Sequence, residues 1–125
     1  MRYDANVQPR SEVWLELDES ERIDAVMVYH RRTRVKLENP ELHAIAHVVV
    51  ENQIVLGEAT SVPATLDRLM DEGLDRHDAI HAIASILMRI VYDVAHETDD
   101  GSDINAKYGR ELGKLTAAGW QSQLK

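Results

Sequence analysis

Four histidines and a carboxylate stand at helical spacing in two short stretches of this chain. "NPELHAIAHVVVENQ", residues 39–53, sets His43, His47 and Glu51 four residues apart, and "RHDAIH", residues 76–81, repeats the spacing with His77 and His81. At about 100° per residue a step of four brings a side chain back to within about 40°, so each pair lies on one side of its helix. Two such pairs on facing helices can hold Zn, Fe, Mn, Ni or Co, because neutral imidazole suits these ions and Glu51 adds a carboxylate oxygen.

Both pairs are read as pointing inward. Val50 and Ile54 fall within about 20° of His43, so the ladder borders apolar side chains and not the face marked by Glu41 and Asn52. His77 and His81 share a side with Ala84, Met88 and Val91, away from Asp78, Arg89 and Asp93. Burying four imidazoles without a common partner would leave many polar nitrogens to satisfy, which is the argument for a metal. His30 lies on another apolar stripe and is a further candidate ligand or supporting residue. His96 falls on a polar side, where a cation near a helix C-terminus is favourable anyway, and stays outside the site.

"HDAIH" also compares with the zincin pattern H-E-x-x-H, in which the intervening acid is a general base. Glu51 and Asp78 are therefore the two candidates for accepting a proton from water in a metal-dependent hydrolysis. Asp78, one methylene shorter than Glu, also sits where an acid serves the first turn of a helix. A closed four-His shell would instead argue for a structural metal.

Composition restricts the other chemistries. The absence of cysteine excludes disulfides, thiolate metal sites and a Cys nucleophile. A formal net charge of −8 disfavours nucleic acid and anionic membranes as partners. The N-terminal "MRYDANVQPR" lacks the apolar core of a secretory signal, and no segment approaches the roughly 20 apolar residues of a membrane span, so a cytoplasmic location and no membrane partner are expected. With 125 residues, one compact domain over 1–125 is expected, its core about 18–97 and a C-terminal helical tail about 103–120.

No phenylalanine is present, and a core of Ile, Leu, Val, Met and Ala leans towards helix. "LDESERIDAVMVYHRRTRVKL" opens with Asp18 and Glu21 spaced as a capping box and puts Ile23, Val26, Met27, His30 and Leu37 on one stripe. Asn39 and Pro40 begin a second helix that Gly57 closes. Ser61 is placed to cap a third, ended by Gly73, and Asp75 a fourth, the longest, running to about Glu97. A polar turn, "TDDGSD", then leads to a last helix weakened by Gly109 and Gly113. The fold class is all-α, a compact bundle of four to five helices.

Three other features have plainer readings. Arg31, Arg32, Arg34 and Lys36 form the one basic run, but they spread around the helix end and do not make a nucleic-acid stripe. Ser85 lacks a nucleophile elbow and reads as a packing residue. Trp14 and Trp120 read as covers for the core edges.

"NPELHAIAHVVVENQ" followed by "RHDAIHAIASIL" resembles the bacterial family called domain of unknown function 1841, over about residues 39–95. The resemblance implies a small helical protein of unassigned activity and supplies no catalytic residues. In relatives Glu is expected where this chain has Asp78, a departure that weakens a metalloprotease-like role. The leading expectation is a protein binding a divalent transition metal through His43, His47, His77 and His81, with Glu51 as ligand or base. The alternative is a non-catalytic interaction module, compatible with a homo-oligomer, whose histidines hydrogen-bond in the core.

Overall fold

The computed structural model describes residues 2–35, 39–57, 60–96, 101 and 103–123. It is all-helical: α1 (Ser11–Glu16), α2 (Glu19–Arg32), α3 (Pro40–Leu56), α4 (Val62–Asp71), α5 (Arg76–Ala95), α6 (Ile104–Lys114) and α7 (Ala117–Gln123). The all-α bundle is as expected, with seven helices among the described residues where four to five are expected. The short α1 carries too few residues to show a period, and the tail divides where Leu115 and Thr116 leave the helix. Gly109 and Gly113 lie inside α6 and do not break it.

The caps act largely as their residue types dictate. Asp18 Oδ1 accepts from the Glu21 N–H at 2.8 Å while Glu21 Oε1 accepts from the Asp18 N–H at 3.0 Å, completing a capping box. Asn39 accepts from the Leu42 N–H, Pro40 fills the first turn, and Gly57 closes α3 at φ 77°, a conformation that costs a glycine little. Asp75 accepts from the Asp78 N–H at 2.7 Å. Ser61 holds the cap position of α4 but makes no side-chain cap bond; Thr60 Oγ1 accepts from the Val62 N–H instead. The first long helix stops at Arg32, with Arg34 at φ 60°, so it does not run through to the expected Leu37. Lys36, Leu37, Glu97 and most of the "TDDGSD" turn lie outside the described residues.

α5 is the hub, packing against α3, α4 and α6, while α3 also packs against α2 and α4. The helix α3 therefore needs two apolar faces. Ala46, Val50 and Ile54 join Leu66, Leu69, Ile80, Ile83, Ile90 and Leu112 in the larger core. Ala44 and Val48 join Tyr3, Trp14, Val26 and Tyr29 in a second core against α2 and the N-terminal segment. On a helical wheel His47 and Glu51 fall between these two faces, while His43 lies beside Val50 and Ile54 on the first, so both cores wall the polar ladder. Trp14 is fully buried, its Nε1 donating to Asn52 Oδ1, and belongs to the core and not its edge; Trp120 is half-buried against the larger core. Ser85 donates to the Ala82 carbonyl, a packing role. Among the described residues no helix is long and apolar enough to cross a membrane.

Candidate metal centre

Three helices bring five imidazoles together. α2 contributes His30, α3 contributes His43 and His47, and α5 contributes His77 and His81. One ligand nitrogen from each of His30, His47, His77 and His81 lies within 4.8 Å of the others, and no other group of three or more His, Asp or Glu among the described residues meets that condition. His30, a secondary candidate by sequence, is thus inside the group. His43 adjoins it through His81, with their Nε2 atoms 3.0 Å apart.

The nitrogen spacings have a metal-like scale. His30 Nε2 stands 3.3 Å from His77 Nε2 and 3.4 Å from His81 Nε2. Tetrahedral ligands at bond lengths of roughly 2.0–2.1 Å are separated by roughly 3.3–3.4 Å, and ligands at right angles by roughly 2.8–3.0 Å. Hydrogen bonding alone serves this arrangement poorly. Each neutral Nε2 carries either one proton or one lone pair, whereas the Nε2 atoms of His30 and His81 each face two others. A cation accepts all the lone pairs at once.

The rings are held neutral, the form that ligates. Burial lowers the His30 pKa to about 4, with the neighbouring His43 and His77 adding to the effect. Burial lowers His81 to about 2, helped by His77, His43 and His30. His43, His47 and His77 also shift down, first through burial, and His47 furthest below the usual range among these three. Depth is graded: His30 and His47 are buried, while His43, His77 and His81 are half-buried, so the group has a floor and an edge nearer solvent.

Glu51 stands outside the group of His30, His47, His77 and His81. Its carboxylate is fully buried and forks onto Arg76, with Oε1 accepting from Nη2 at 2.7 Å and Oε2 from Nη1 at 2.8 Å. Oε2 also accepts the Tyr3 hydroxyl. An acid so engaged is the partner of a buried guanidinium and a phenol. The wheel position of Glu51 was legible, but Arg76 reaches it from another helix. Asp78 is exposed in the first turn of α5, outside the histidine group; its backbone N–H is capped by the Asp75 side chain, and its own carboxylate is the acid of that turn, where the helix dipole favours it. His96 caps the other end of α5, exposed and stacked on Tyr92 at 3.8 Å between ring centres.

Tyr3 and Arg76 are the residues that sequence reasoning missed. Tyr3 Oη lies 2.8 Å from His47 Nε2, and Arg76 Nη1 also donates to the Ala5 carbonyl, tying the N-terminal segment to the site. Arg32, from the basic run, donates to the Tyr3 carbonyl and lies over the Tyr29 ring. No periodicity marks Tyr3, which precedes the first helix. Comparison with protein-family models, curated proteins and solved structures finds no match for this chain.

Proposed function

We propose that this protein binds a divalent transition-metal ion among α2, α3 and α5, with His30, His47, His77 and His81 as ligands and His43 at the half-exposed edge. The observation that carries the reading is the approach of one nitrogen from each of four histidines to within 4.8 Å of the rest. An all-imidazole donor set favours late first-row ions such as Zn, Ni, Co or Fe over Mg or Ca, which want oxygen.

Such an ion would supply Lewis-acid chemistry to water or to an ester, amide or phosphate oxygen arriving at the half-exposed side, so hydrolysis is the simplest reaction class. Neither carboxylate named for the base role supports that step, since Glu51 is engaged by Arg76 and Asp78 lies outside the group. Metal holding is therefore the better supported half of the reading. The two His pairs that meet here also carry the resemblance of residues 39–95 to domain of unknown function 1841, and we read the chain as a relative of that family.

A second reading, an interaction module with core histidines, draws on a groove between α3 and α5 lined by Leu42, Val49, Leu87, Met88, Val91 and Tyr92, of which Val91 and Tyr92 are each 59% exposed. The buried, unpartnered Nδ1 of His47 weighs against it, because a purely hydrogen-bonded core would satisfy that atom. The test is elemental mass spectrometry of untagged protein purified without chelators, beside His30→Ala and His81→Ala. Near-stoichiometric metal lost in both variants supports the site. A wild-type protein that is metal-free and refuses added Zn, Fe, Mn, Ni and Co rejects it in favour of the interaction module.

A further inference from the structure

We infer that His47 ligates the ion through Nδ1, and that a buried relay of Tyr3, Glu51 and Arg76 positions it to do so; the inference rests on the metal reading above. The argument is one of counting protons. Both oxygens of the Glu51 carboxylate accept from Arg76, and a carboxylate only accepts. The Tyr3 hydroxyl has one proton, and it is donated to Glu51 Oε2. Tyr3 Oη therefore has only lone pairs to offer His47, so the Nε2 of His47, 2.8 Å away, must carry the proton and donate it.

In that tautomer the lone pair of His47 sits on Nδ1. That atom is buried and without a hydrogen-bond partner, in a residue whose exposure is 0%. The ring lies 5.2 Å from that of His30, 5.5 Å from His81 and 5.7 Å from His77, centre to centre. Nδ1 is the one nitrogen of His47 left for a ligand. The outer chain is the arrangement that orients metal-bound histidines generally, a ring N–H donated to a fixed acceptor that sets the tautomer and raises basicity. Here the acceptor is a phenol polarised by a charged pair, and Tyr3 is a positioning residue that touches no metal.

The experiment is long-range nitrogen–proton NMR of the histidine rings in the full chain, metal-free and with Zn²⁺, repeated on Tyr3→Phe with zinc affinity measured by chelator competition. Expected are the Nε2–H tautomer at His47 in the metal-free wild type, a zinc-dependent shift on its Nδ1, and zinc affinity weaker by about 10- to 100-fold in Tyr3→Phe. A zinc shift on His47 Nε2, or an Nδ1–H tautomer without metal, overturns the relay and leaves the metal site standing. Wild-type protein that takes up no zinc overturns the relay and removes zinc from the metal reading. The wild-type spectra decide the matter even where Tyr3→Phe fails to fold.

Discussion

Glu51 and Arg76 face each other with side-chain exposures of 0% and 5%, joined by two hydrogen bonds of 2.7 and 2.8 Å that link α3 to the first turn of α5. Burial works against the charged guanidinium, but the Glu51 carboxylate and the Tyr3 hydroxyl together outweigh this and raise the Arg76 pKa. The pair lies beneath His47 and shares Tyr3 with it.

Breaking this pair should be costly. Arg76→Ala leaves a buried carboxylate alone and is expected to lower unfolding free energy by about 3–5 kcal/mol, read from urea denaturation. Replacing both partners, Glu51→Leu with Arg76→Met, should recover much of that loss, because the desolvation cost goes with the charges. A double variant no more stable than Arg76→Ala alone would contradict this account.

Metal-stripped protein should lose stability in acid. The five clustered histidines have folded pKa values below the unfolded value of about 6.5, so between the two values the unfolded chain binds more protons. Stability is then undiminished above about pH 7 and falls as pH drops through 6.5 towards about 4 for His30 and about 2 for His81. Each ring that stays neutral adds up to about 1.4 kcal/mol per pH unit to the slope. Urea titrations from pH 7.5 to 4.5 on wild type and His81→Ala check this, the variant showing the shallower decline.

Ion binding should stabilise the fold by an amount that grows with the logarithm of ion concentration. A metal held only by the folded state adds about 2.7 kcal/mol at 100 times its Kd. Differential scanning fluorimetry should therefore show the midpoint rising with Zn²⁺ but not with Mg²⁺. His96→Ala, at the exposed end of α5, should respond like wild type. A shift that survives in His30→Ala would place the ion elsewhere.

The cap on α5 sets the start of the helix that carries His77 and His81. Asp75→Ala removes the acceptor for the Asp78 N–H and is expected to cost about 1 kcal/mol in urea denaturation. Asp75→Asn keeps a capping oxygen and should retain most of that stability. Equal losses in both variants would mean that the charge, not the cap, matters.

Much was legible without tertiary structure because it is local. Asn39, Pro40 and Gly57 bound α3 where the caps say, Asp75 starts α5, and the four-residue spacing puts each His pair on one side of its helix. Helical periodicity also tells that these sides adjoin apolar faces. What the tertiary structure decided is which groups meet. Spacing along one helix cannot state the angle at which another crosses it, so nothing in the sequence makes His30 a neighbour of His77 and His81 across about 50 residues, or brings Arg76 to Glu51. Tyr3 lies in a segment without periodicity, and its contact with His47 spans 44 residues. The sequence by itself determined that imidazoles would line helices α3 and α5; helix packing decided that Glu51 would answer a guanidinium and that His30 would complete the ring group, since a buried charge must take whichever partner the packing brings within reach.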